Sequence, residues 1–119
     1  MPSIDAATIR KILDSRGEPT VEVDVVAEGI HGRAAAPSGA STGTHEAVAF
    51  PEGGVDAAIA RFAEEVEPRL LGREVTAQKD VDRILHEIDG TPNFARLGGN
   101  VTVAVSLAVA KAAANAMAV

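Results

Sequence analysis

Residues 20–26 read as an alternation of apolar and polar positions. Val21, Val23 and Val25 fall on one face, and Thr20, Glu22 and Asp24 on the other. A period of two predicts a half-buried strand. Upstream, Ile4 to Leu13 is a second strand candidate, rich in isoleucine. Between the two, Asp14 closes an Asx turn, Gly17 permits positive φ and Pro19 restricts the backbone. Glu28-Gly29 predicts another reversal, into a short third strand near 30–36. Three sequential strands with short links read as an antiparallel meander.

Further along, the period changes. Val55, Ile59, Phe62, Val66 and Leu70 recur at helical spacing, with Pro68 expected to tighten the last turn and Gly72 to end it. Val81, Ile84, Leu85 and Ile88 predict a second amphipathic helix, with Thr76 near its start and Gly90 past its end. Residues 91–99 read as a loop, and Asn100 is the candidate cap of a final helix. The segment 101–119 is mostly alanine and valine, with Lys111 its one charge. Its length touches that of a membrane span, but alanine drives insertion weakly. A helix buried nearly all round is the expectation, and no membrane span. No glycine, proline or polar cluster closes this helix, so the chain is expected to be part of a longer polypeptide. Strands followed by helices give an α+β fold in one domain, 1–119.

Composition narrows the function classes. At 119 residues the chain is too short for an α/β barrel of about 250 residues. The 11 basic and 17 acidic side chains leave a charge of −6 without a basic cluster, and only three aromatic residues are present. Nucleic acid is therefore not an expected partner. No cysteine is available for disulfides, thiolate metal sites or nucleophilic catalysis. The first ten residues lack the apolar core of a signal peptide, which points to a cytoplasmic protein.

Candidate chemistry concentrates in one stretch, Pro37-Ser38-Gly39-Ala40-Ser41-Thr42-Gly43-Thr44-His45-Glu46. Two glycines and four hydroxyl residues suit a mobile loop whose backbone approaches a ligand closely. Residues 39–43 match G-x-S-x-G, but the strand–turn–helix context of a nucleophile elbow is missing, because Pro51 to Gly54 interrupts the pattern soon after. No lysine follows Gly43 as a phosphate loop requires. Ser41 and Thr42 each offer one hard oxygen to Mg²⁺, too few ligands to hold the ion without others. His31 and His86 read as solvated, and Glu64, Glu65 and Glu67 as a solvated helix face.

Three stretches together resemble the enolases. They are residues 14–23 (Asp-Ser-Arg-Gly-Glu-Pro-Thr-Val-Glu-Val), the loop 37–46, and residues 88–93 with 97–100 and 105–108. They occur in order and cover nearly the whole chain. The resemblance implies an N-terminal domain, with a three-stranded meander followed by helices. It also implies a C-terminal α/β barrel that is absent from this chain. Enolases are lyases of glycolysis and gluconeogenesis that interconvert 2-phosphoglycerate and phosphoenolpyruvate with two Mg²⁺ ions. The resemblance places the lysine base, the acid glutamate and the carboxylates of the first metal in the barrel, so no catalytic residue is expected here.

By the same resemblance, Ser41 ligates the second Mg²⁺, and Ser38, Gly39, Ala40, Thr42, Gly43 and His45 belong to a lid that closes over substrate. Arg10 and Glu22 correspond to positions that pair with a partner subunit in family dimers. Glu18, Phe94-Ala95-Arg96, Gly99 and Thr102 depart from the family's usual residues, as does the short insert at 50–54. The implied fragment is inactive alone; the alternative is a stand-alone enolase-like domain acting as a non-catalytic binding or structural module.

Overall fold

The computed structural model describes residues 2–36 and 48–117. Strands β1 (Ile4–Leu13), β2 (Pro19–Ala27) and β3 (Ile30–Ala35) form one antiparallel sheet in the order β1-β2-β3. The turn chemistry follows the sequence. Asp14 Oδ1 accepts from the amides of Arg16 at 2.8 Å and Glu18 at 2.9 Å, and Gly17 sits at φ 76°. Ala27 pairs with Ile30, so Glu28 and Gly29 make a two-residue hairpin with φ of 50° and 84°. Both values belong to the primed turns that suit strand twist. Glu28 tolerates that conformation in a held environment: its amide donates to Asp5 Oδ2 at 2.6 Å, and its carboxylate accepts from the Ser3 amide at 2.8 Å.

The helices follow the meander. α1 (Gly54–Arg61) runs into a π-helical turn (Phe62–Val66) and then α2 (Glu67–Leu70); α3 (Gln78–Asp89) and α4 (Gly99–Ala116) come after. The π turn corrects the expectation at Pro68. A proline inside a helix lacks its amide and presses on the carbonyl four residues earlier. Here the backbone widens before Pro68 instead of tightening around it, with the Glu67 amide bonded to Phe62 O. Phe62, Val66 and Leu70 still reach the core.

α4 lies across β3 and β2 and against α3. Its closest approach is at Gly32, where a Cβ would lie 2.1 Å from Ala108 O and 2.4 Å from Ala112 N. Gly32 pairs with Val25 and Ala34 with Val23, so the valines of β2 share this helix-facing side. Val21, Val23, Val25, Phe62, Val81, Val101, Val105 and Val109 are among the buried residues of the single core.

Three expectations need correction. The polar face of β2 is not simply solvated, because β2 is the central strand. Thr20 is buried and donates to Ala36 O at 2.7 Å. Asp24 is buried among neighbouring side chains, with Arg33 Nη2 3.3 Å from Oδ2 and His31 Nδ1 3.5 Å from Oδ1. The final helix is not buried all round: Val103 is 47% and Leu107 46% exposed. One side of α4 rests on the sheet, and the opposite side has no cover among the described residues. Finally, Gly98, at φ 92°, takes the cap position that the sequence assigns to Asn100, and Asn100 lies in the first turn. Among the described residues no helix is long and apolar enough to cross a membrane.

Candidate functional site

Ser38, Gly39, Ala40, Ser41, Thr42, Gly43 and His45 all lie outside the described residues. The structure does show the frame at both ends of that stretch. On the entry side, the Ala36 amide donates to Val21 O at 3.0 Å, and Ala36 O accepts from the Thr20 hydroxyl. On the exit side, the Val48 amide donates to Asn93 O at 2.9 Å. Val48 O accepts from the Gly99 amide at 2.6 Å, and Ala49 O from the Asn100 amide at 3.0 Å. The first amides of α4 are thus satisfied by backbone carbonyls of residues 48–49, which is the service a side-chain cap would otherwise give. Gly98 permits this closeness: a Cβ there would lie 2.8 Å from Ala49 O and 3.0 Å from Phe50 Cα.

The loop after α3 supports the same frame. Asp89 is 2% exposed, and both carboxylate oxygens are fully used. Oδ1 accepts from the amides of Arg96 at 3.0 Å and Leu97 at 2.7 Å. Oδ2 accepts from the Thr91 amide at 2.9 Å and from the Thr91 hydroxyl. Burial pushes this carboxyl up. The hydrogen bonds from the Thr91 hydroxyl and from the Leu97, Thr91 and Arg96 amides outweigh it and hold the group below the ordinary carboxylate range. Arg96 Nη2 lies 2.6 Å from Glu65 Oε1, and Arg96 Nη1 donates to Ile88 O at 3.0 Å. Glu65, half-buried, is therefore an anchor between the π turn and this loop as well as part of the acidic helix face.

Sequence reasoning missed Asp89, Arg96 and Gly98 as framework. The signal available was Asp89-Gly90-Thr91, an Asx-type acceptor followed by a helix-ending glycine, which sits at φ 70°.

Arg10 and Glu22 are directly opposite in the β1–β2 register and pair with each other within the chain. They stand on the sheet face away from α4, with Arg33 Nε 3.9 Å from the same Glu22 oxygen. His31 is exposed at the start of β3. His86 stacks obliquely on Phe94, with ring centroids 4.6 Å apart. Among the described residues no three His, Asp or Glu side chains gather to hold a metal ion.

Residues 4–119 match the family described as "Enolase, N-terminal domain". The chain belongs to the enolase N-terminal domain family. Its relatives agree across nearly its whole length. It is 55% identical over 112 residues to the enolase of Methanothermobacter thermautotrophicus, covering 94% of this chain and 27% of that protein. It is 52% identical over 112 residues to the enolase of Methanosphaera stadtmanae, with the same coverage of both. To the enolase of Thermococcus gammatolerans it is 50% identical over 121 residues, covering 96% of this chain and 28% of the relative. The enolase N-terminal domain described here thus spans about a quarter of the length of these relatives.

Proposed function

We propose that this domain acts as the N-terminal part of a larger enolase. That enzyme interconverts 2-phosphoglycerate and phosphoenolpyruvate in the cytoplasm, with Mg²⁺ as cofactor. The observation that carries the proposal is the coverage: half or more of the residues are identical across nearly all of this chain, against about a quarter of proteins named enolase. In this reading the domain contributes no catalytic residue. It contributes residues 37–46 as a lid, with Ser41 supplying one oxygen to a Mg²⁺ ion whose other ligands come from the C-terminal barrel and the substrate.

The frame supports this role physically. A lid is useful when it closes in one place, because closure excludes water and completes the set of groups around substrate. Residues 36 and 48–49 are bonded to β2 and to the N-terminus of α4. Small residues between such fixed ends suit close backbone approach. Arg10 and Glu22, held in one ion pair on the sheet face, are the proposed contacts with a second subunit in a dimer.

Ser41→Ala in the full-length protein tests the lid role. Loss of a ligand made when substrate is bound is expected to lower kcat by on the order of tenfold or more and to raise the Mg²⁺ concentration needed for half-maximal rate. An unchanged rate across the Mg²⁺ titration would remove Ser41 from the metal's shell.

A further inference from the structure

We propose that the cleft between β3 and α4 binds a small, multiply charged oxyanion, a phosphate or a polycarboxylate. The cleft has a volume of about 490 Å³ and is lined by His31 and Arg33 of β3 and by Lys111, Ala114 and Asn115 of α4. Volumes of this order hold small-molecule ligands. The chain carries 17 acidic and 11 basic side chains, yet no carboxylate is among the lining residues. An ammonium, a guanidinium and an imidazole meet there instead. A concave site lined by one sign of charge concentrates counter-ions of the other sign.

The walls are held from outside the cleft. Asn115 Nδ2 donates to His31 O at 2.7 Å and ties α4 to the edge strand of the sheet. The buried Asp24 carboxylate has Oδ2 3.3 Å from Arg33 Nη2 and Oδ1 3.5 Å from His31 Nδ1. Glu22 Oε1 stands 3.9 Å from Arg33 Nε. These two carboxylates take one edge of the guanidinium, Nε and Nη2, and leave Nη1 without a partner among the described residues. They also offset part of the Arg33 charge. The net attraction therefore depends on Lys111, which makes no ion pair among the described residues. A planar guanidinium beside a compact ammonium suits the several oxygens of a phosphate or a polycarboxylate. Every residue of this site is a described residue of this chain, so the proposal does not depend on the enolase reading.

Lysine acetylation of the full-length protein, read peptide by peptide by mass spectrometry, tests this with pyrophosphate and citrate as probes. At a probe concentration about ten times its dissociation constant, mass action leaves roughly one cleft in ten empty, so Lys111 is expected to label about tenfold more slowly. Lys79, on α3 and outside the cleft, is expected to keep its rate. Sodium chloride at equal ionic strength is expected to leave both rates unchanged. Protection by pyrophosphate alone assigns the cleft to phosphates, by citrate alone to carboxylates, and by both to oxyanions in general. His31→Glu places a carboxylate in the cleft at an exposed position and is expected to abolish the protection. Arg33→Lys keeps a cation beside Asp24 but loses the planar fork, and is expected to raise the concentration for half-protection about fivefold. Lys111 labelling that neither probe slows, that sodium chloride slows equally, or that is already blocked without a probe overturns the proposal. So does undiminished protection in a folded His31→Glu protein.

Discussion

Gly32→Ala is expected to destabilise the domain by about 3 kcal/mol or more, the upper range for overpacking a core. The added methyl would lie 2.1 Å from Ala108 O and 2.4 Å from Ala112 N. Both are backbone atoms of α4, so no rotamer change relieves the clash. Either α4 lifts from β3 or the strand bends away. Each response opens the layer between the helix and Val23 and Val25, which are fully buried. Gly17→Ala is the control. Gly17 has φ 76°, and a methyl added there would meet no heavy atom within 4 Å, so only the left-handed backbone is penalised, by about 1–2 kcal/mol. Urea unfolding of the two variants beside the parent measures both. A Gly32→Ala protein within about 0.5 kcal/mol of the parent would mean that α4 does not sit as described, since such a difference is that of an ordinary surface change.

Asp89→Asn is expected to cost about 2–4 kcal/mol, because each buried donor left without its acceptor costs about 1–3 kcal/mol and neighbours relax only partly. The asparagine keeps the shape but replaces one acceptor oxygen with an amine. That amine would face either the Arg96 and Leu97 amides or the Thr91 amide and hydroxyl. The pH dependence has a definite sign. The folded carboxyl is held below its usual value, so the unfolded state binds the proton first. The stabilisation is complete above the unfolded carboxylate range, about pH 4, and is lost as pH falls from there through the folded value. The parent should therefore lose stability on acidification more steeply than Asp89→Asn does. Thermal melts of both proteins from neutral to strongly acidic pH compare the limbs. Parallel acid limbs would mean that Asp89 titrates as it does in the unfolded chain.

These two residues also show where sequence reasoning reached and where it stopped. The meander was legible because each local cue pointed the same way. The alternation in β2 set the faces, Asp14 and Gly17 set the first turn, and Glu28-Gly29 set the second. The helices were legible from apolar spacing, and Gly90 marked the end of α3. Their environments were less so. The meander makes β2 central, but alternation does not reveal that Arg33 and His31 enclose Asp24 or that the Thr20 hydroxyl is buried against Ala36 O. The π turn depends on how the chain accommodates Pro68 while keeping Phe62, Val66 and Leu70 inward. Gly32 carries its role only through a helix almost 80 residues away in sequence, a distance no local pattern encodes. The exposed side of α4 was hidden within a run so apolar that every face looked suited to burial.

For the candidate site the balance is different. Residues 37–46 stood out in the sequence as a motif and lie outside the described residues. The frame on either side of them was not legible. It is made of backbone hydrogen bonds from Val48, Gly99 and Asn100, of the Gly98 approach to Ala49, and of the Asp89 carboxylate behind them. Backbone groups have no sequence signature of their own, so a frame built from them emerges only in three dimensions.

The central claim is that this chain is a non-catalytic domain whose chemistry needs the rest of an enolase. Phosphoenolpyruvate formation from 2-phosphoglycerate with Mg²⁺ tests it directly, on the purified 119-residue chain and on the full-length protein side by side. The expected result is no turnover by the short chain and ready turnover by the long one. Turnover by the short chain, or none by the full-length protein, would contradict the claim.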